Sequence, residues 1–272
     1  MIPRRLPWAL LAVLVLAQIC YPLTDGATRA GLTVATVVLG YLLSVGHALL
    51  SRGARTAGAL VAVATGGGFA IEAVGVATGV PFGSYDYSGE LGPKLAGVPL
   101  IIPLAWTWMA WPAWLAAVRL TSSRPGRIAL AAVGLAAWDL FLDPQMVAEG
   151  YWVWRDATPA LPGLPGIPVS NYLGWLLFAV LLMSALRPLA GATADRTDGR
   201  DAPMFGLYLW TYFSSVLAHA VFLRLPASSV WGAAGMAVTA LPLAGTLLRA
   251  RRDGTDRREP HRAPRPGVDA AA

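Results

Sequence analysis

Eight stretches of about twenty apolar residues, nearly free of charge, govern what this chain can fold into: about 7–24, 30–50, 57–80, 98–120, 127–147, 170–188, 204–223 and 228–248. A helix crossing a bilayer needs roughly 20 such residues, because in hydrocarbon every backbone polar group must be satisfied within the protein. The pattern predicts an all-α, polytopic membrane helical bundle of about eight transmembrane helices, a single domain over 1–250. Composition points the same way: 56% of residues are hydrophobic and 13% charged, where soluble domains average about 45–50% and about 25%. Arg4 and Arg5 precede the first stretch as in a secretion signal. Ile19, before Cys20, is not the small residue that cleavage prefers, so the segment reads as a retained helix.

Basic residues give the orientation, because cytoplasmic loops are enriched in Lys and Arg. Taken in order, the nine segments flanking the spans, each counted with the arginines at the adjoining span ends (Arg119, Arg127 and Arg187), hold 2, 1, 2, 1, 3, 1, 3, 1 and 7 of them, which places 17 on one side and 4 on the other. Both termini are therefore expected in the cytoplasm, in a bacterial cytoplasmic membrane. The net charge of +6 belongs largely to the Arg- and Pro-rich C-terminal segment. Residues 251–272 have little to bury and read as a disordered basic cytoplasmic tail, which argues against a nucleic-acid partner. The single cysteine, Cys20, excludes an intramolecular disulfide and a cysteine-held cluster.

Acids inside the spans are costly, about 2.5–3.5 kcal/mol each on insertion scales, and so mark function. Glu72, Asp139 and Asp143 qualify, and no Lys or Arg stands in the middle of a span to neutralise them. They must be hydrogen-bonded, hydrated or partly protonated. Helical rise puts Glu72 roughly 13 Å below the outer end of its helix, with Asp139 one turn below Asp143, so all three lie in the outer half of the membrane. Trp106 in the fourth span and His219 in the seventh reach similar depths, and Asn171 caps the outer end of the sixth. Gly68, Glu72, Gly75 and Gly79 share one helix face, and Ala132, Ala136, Asp139 and Asp143 share another. Small residues beside a polar one predict contact with other helices and not with lipid. The carboxyls are thus expected inside the bundle, beneath two outer loops, 79–99 and 147–172, rich in Gly, Pro, Trp and Tyr. For Trp152, Trp154 and Trp175 an interfacial aromatic belt is an equal alternative to a site. Trp108, Trp111 and Trp114 read as core or lipid-facing packing.

Three phrases, EAVGVATGVPFGSYDYSGELGPKLAGVPLIIPLAW from Glu72, WDLFLDPQMVAEGYWVW from Trp138 and GIPVSNYLGW from Gly166, resemble in order and spacing the CruF-type, bisanhydrobacterioruberin hydratase-like family of carotenoid hydratases. The resemblance covers roughly residues 66–180. It implies a polytopic membrane enzyme of carotenoid biosynthesis that adds water across the terminal double bond of an acyclic end group, giving a tertiary alcohol. The implied partners are an acyclic carotenoid, water, membrane lipids and other enzymes of carotenoid biosynthesis, with no cofactor and no metal.

Such a reaction needs an acid to protonate the alkene, stabilisation of a tertiary cation, and a guided water. A carboxylic acid kept neutral by burial supplies the first. Asp139 or Asp143 is the candidate acid, with Glu72 or the other aspartate as the base that orients water. Trp106, Trp138, Tyr85 or Tyr87 offers a π-face to the cation, Asp86 relays protons from solvent, and Asn171 and His219 complete the substrate-binding set. A cyclase or isomerase could share this protonate-and-stabilise site. A prenyltransferase reading of DLFLD lacks a second aspartate pair and an adjacent Arg or Lys cluster for diphosphate. A proton-coupled transporter predicts acids at several depths or inverted repeats.

Overall fold

The computed structural model describes residues 2–256. Eight helical passes follow one another: α1 (Ile2–Cys20), α2 (Gly26–Arg52), α3 (Ala54–Leu60) running through the π-helical Val61–Gly66 into α4 (Gly67–Thr78), α5 (Ile102–Leu120), α6 (Arg124–Ala136) with α7 (Asp139–Ala148), α8 (Val169–Ala190), α9 (Ala202–Leu217) extended by the π-helical Ala218–Phe222, and α10 (Pro226–Asp256). Seven of these passes are long and apolar enough to cross a membrane, and the protein is an all-α polytopic membrane bundle. The eighth is α5, 19 residues whose four tryptophans and two prolines dilute its apolar character. From Ala105 to Val118 every residue of α5 is buried. It is the central post, touching α2, α6 and α9. α10 continues to Asp256, beyond the expected start of the tail at 251, and the tail from 257 onward lies outside the described residues.

Core tryptophans need partners for their N–H groups. Trp111 donates to His47 Nδ1 at 3.0 Å and Trp114 to the Ala194 carbonyl at 2.9 Å, which makes both packing residues, as the sequence indicates. They belong to the end of the bundle where the ion pairs concentrate. There the buried Arg52 guanidinium reaches both oxygens of Asp201 at 2.8 Å, and Asp195 meets Arg187 at 3.0 Å and Arg127 at 3.3 Å. These pairs clamp the 191–201 connection.

The opposite end is closed by the two aromatic loops. β1 (Tyr85–Tyr87) pairs antiparallel with β4 (Trp152–Trp154), setting Tyr85 against Trp154, Asp86 against Val153 and Tyr87 against Trp152. β2 (Lys94–Leu95) and β3 (Val98–Pro99) form a small hairpin turned by Ala96 and Gly97, both in the left-handed region. Side chains alternate across a strand. One face of the β1–β4 ribbon therefore carries Tyr85, Tyr87, Trp152 and Trp154 into the bundle, while Asp86 and Val153 face away.

Candidate active site

Glu72 stands on the glycine face of α4, between Gly68 and Gly75. A Cβ on Gly68 would meet Trp106 of α5 at 3.0 Å, and one on Gly75 would meet the Tyr85 hydroxyl at 2.8 Å and Phe82 at 2.9 Å. The missing side chains are what let the neighbouring helix and the ribbon come close enough to bond Glu72. Trp106 Nε1 donates to Glu72 Oε1 at 2.9 Å, while Tyr85 and Tyr87 donate to Oε2 at 2.6 and 2.8 Å. The glutamate is 4% exposed, so three donors converge on one buried acceptor, an arrangement that suits a carboxylate. Burial, and then the Glu72 charge, hold both phenols well above the ordinary tyrosine range, which keeps them as O–H donors.

Asp139 and Asp143 are set by a break in the fifth pass. The sequence places both at the C-terminal end of one helix. Instead α6 stops at Ala136, Ala137 and Trp138 turn, and Asp139 opens α7. Asp139 thus stands in the first turn of a helix, the end that favours negative charge. Asn171, in the first turn of α8, gives one amide nitrogen to both acids: Nδ2 donates to Asp139 Oδ2 at 2.9 Å and makes a short bond to Asp143 Oδ2. All three residues are buried. Asp139 Oδ1 has no hydrogen-bond donor among the described residues.

Between these two acid clusters runs a wall of rings. Trp106 stacks on Trp175 with centroids 3.7 Å apart, Trp138 lies edge-on to Trp175 at 6.4 Å, and Trp108 edge-on to Trp138 at 5.2 Å. Tyr85 packs on Trp154 and Tyr87 on Trp152. These rings border one open-mouthed cavity, lined by Glu72, Tyr85, Tyr87, Trp106, Trp138, Asp143, Asn171 and His219 among others.

Eight of the ten candidate residues thus line one cavity. Asp139 stands beside it, joined through Asn171. Asp86 does not reach it: at 54% exposed it pairs with Arg155 at 2.7 Å on the outward face of the ribbon, and the guanidinium holds its carboxyl below the usual range. Strand alternation between two buried tyrosines turns it outward, so a relay through Asp86 has no geometric support. Trp108, which the sequence reads as packing, and Trp152, Trp154 and Trp175, for which it leaves belt and site equally open, all line the cavity. The period-two spacing of Tyr-Asp-Tyr and Trp-Val-Trp was the available signal for the ribbon pair. Gln145 and Thr211, also in the lining, carried none.

A family profile described as carotenoid biosynthesis protein matches residues 30–242. The chain belongs to that family. It is 36% identical over 157 residues, 55% of its length, to a bisanhydrobacterioruberin hydratase of Haloarcula japonica. It spans about half the length of that relative, 51%. No solved structure matches the chain. Membership, together with seven passes long and apolar enough to cross a membrane among the described residues, makes this an integral membrane protein of a carotenoid biosynthesis family.

Proposed function

We propose that the protein is a carotenoid hydratase, adding water across the terminal double bond of an acyclic end group to give a tertiary alcohol. The observation that carries this reading is the pairing of Asp139 and Asp143 on one Asn171 amide at the edge of an aromatic cavity. Two adjacent buried carboxyls repel if both are ionised, so the pair holds a proton between them. Asp143 lines the cavity and is the member that delivers it, while Asp139, whose second oxygen lacks a donor, is its reservoir.

Protonation forms a new C–H bond at the end carbon, breaks the π bond and leaves a tertiary cation. The stacked indoles of Trp106 and Trp175 and the rings of Trp138, Tyr85 and Tyr87 present π-faces to that charge. Glu72 adds a fixed negative charge whose oxygens are already held by three donors, so it stabilises the cation in place without having to reorganise. Water then forms the C–O bond and gives up a proton. The distribution of basic residues supports a position for this cavity in the outer half of the membrane, with both termini on the cytoplasmic side. A polyene roughly as long as the hydrocarbon core, about 30 Å, would bring one end group there.

The test is to express the gene in a bacterium that makes lycopene or a longer acyclic carotenoid and to weigh the extracted pigments. A gain of one water per modified end, lost in Asp143→Asn, supports hydration. An unchanged mass with a new retention time would replace it with cyclisation or isomerisation, and no altered pigment would overturn it.

A further inference from the structure

The half-buried lining residues show where the cavity meets the surface of the bundle. There are nine, and six of them flank one seam: Gln18 and Pro22 at the end of the first pass, and Ser214, Ser215, Ala218 and Leu223 along the seventh. The residues that line the cavity from α2, α4, α5 and α8 are all buried. The seam is framed at both ends. Toward the ion-pair end α1 and α9 close on each other at Gly206, where a Cβ would stand 3.3 Å from Leu11, and Trp210 Nε1 donates to Gln18 Oε1 at 2.8 Å. Toward the aromatic loops the turn Tyr21–Leu23 touches the π-helical Ala218–Phe222. Between the two lies a window.

The window opens sideways. Outside it Leu16 and Ile19 of α1 and Phe213 and Leu217 of α9 are exposed, so its rim meets bilayer hydrocarbon. From Ser214 to the left-handed turn at Arg224 runs roughly 15 Å of helix, which sets the window within an apolar layer about 30 Å thick. The inner edge is nonetheless polar. Thr211, Ser214, Ser215 and Ala218 recur at helical spacing and share one face, and all four line the cavity. Thr211 is 2% exposed, and its hydroxyl has no partner among the described residues. A buried hydroxyl is costly unless something bonds it. A hydrocarbon end group has no use for such a row, whereas one that carries a hydroxyl does.

We propose that the α1–α9 window is the passage by which a carotenoid end group moves between the bilayer and the cavity, with Thr211, Ser214 and Ser215 serving the alcohol on its way out. This rests on the hydration reading above. The alkene end enters past exposed apolar side chains and exchanges lipid for aromatic rings, so it needs no polar help. The product end carries a new hydroxyl that both donates and accepts. Without the stripe that hydroxyl would travel to the rim unbonded, at its full desolvation cost. With it, the hydroxyl trades one hydrogen bond for the next, from buried Thr211 to half-buried Ser214 and Ser215.

The experiment mixes the purified full-length protein in detergent micelles with lycopene, or with its tertiary-alcohol derivative, and follows entry and exit by quenching of tryptophan fluorescence. Ala218→Phe narrows the window and should slow entry of both ligands about 10-fold or more, as an overpacked passage does. Leu181→Phe, on the exposed face of α8, should stay within twofold of wild type. Gln18→Ala unties Trp210 and should speed entry. The combined variant Thr211→Val, Ser214→Ala, Ser215→Ala should leave lycopene exchange within twofold and slow exit of the alcohol about 10-fold or more, the order of cost of a hydroxyl without a partner. Wild-type entry rates in both Ala218→Phe and Gln18→Ala would overturn the passage, and Gln18→Ala decides alone if Ala218→Phe fails to fold. An alcohol that leaves the combined variant no more slowly, relative to wild type, than lycopene does would overturn the role of the hydroxyls. A wild type that takes up lycopene through this window yet makes no alcohol would instead overturn the hydration reading.

Discussion

Removing one hydroxyl from the Glu72 clamp gives a stability change that can be worked out from the geometry. Tyr85→Phe deletes the 2.6 Å donor to Oε2 and leaves Tyr87 at 2.8 Å on the same oxygen. A hydrogen bond to a charged group contributes about 1.5–3 kcal/mol net, against about 0.5–1.5 for a neutral pair. Tyr85→Phe and Tyr87→Phe should each cost about 1.5–3 kcal/mol. The double variant strips Oε2 of both donors and should exceed the sum by at least about 0.5 kcal/mol, as coupled partners do. In a Glu72→Gln background the acceptor is neutral, so each phenylalanine substitution should cost no more than about 1.5 kcal/mol. Equilibrium unfolding of the detergent-solubilised protein, followed by tryptophan fluorescence, gives all the values needed for the cycle. Strict additivity of the two tyrosines, with undiminished single effects in the Glu72→Gln background, would refute a charged carboxyl held by converging donors.

Asn171→Leu removes the shared amide and should abolish hydration while polyene binding, followed by fluorescence quenching, persists; normal turnover would mean the aspartates act without it. Gly75→Ala places a Cβ 2.8 Å from the Tyr85 hydroxyl and should cost roughly 1–3 kcal/mol by overpacking, read as a lower unfolding midpoint. The Asp86 carboxyl is held below the usual range by Arg155. The stability it lends is present above the ordinary carboxylate range and is lost only as pH falls through its lowered value. Asp86→Asn should therefore leave the activity profile unchanged from pH 5 to 9, and a shifted profile would return this residue to the chemistry. On a Cys20→Ser background, a cysteine at Arg155 should react with an impermeant maleimide on intact cells and one at Asp198 should not. The reverse pattern would invert the orientation.

The passes were legible because twenty apolar residues in a row have few alternatives, and Glu72 and Asp143 because a buried charge needs a reason. The pairing of those acids with particular donors was not legible. Asn171 reads as a helix cap, and its bond to Asp139 depends on the turn at Ala137 and Trp138, which hydropathy does not register because both sides of it are apolar. Asp86 was misplaced for a related reason. A helical reading of a membrane chain assigns loops no face, whereas a three-residue strand gives Asp86 the face opposite Tyr85. Trp175 shows the limit from the other direction: a belt tryptophan and one stacked on Trp106 at 3.7 Å have the same neighbours in sequence.

The β1–β4 ribbon also imposes an order on biosynthesis. Chains emerge N-terminus first, so α4 and α5 are made before Trp152–Trp154 and Asn171 exist. Until then the Glu72 carboxyl has Tyr85, Tyr87 and Trp106 as neighbours but no ribbon partner to hold the two tyrosines in place. The aromatic cavity is consequently a late product of insertion, complete only when segments from the second half of the chain return to those of the first.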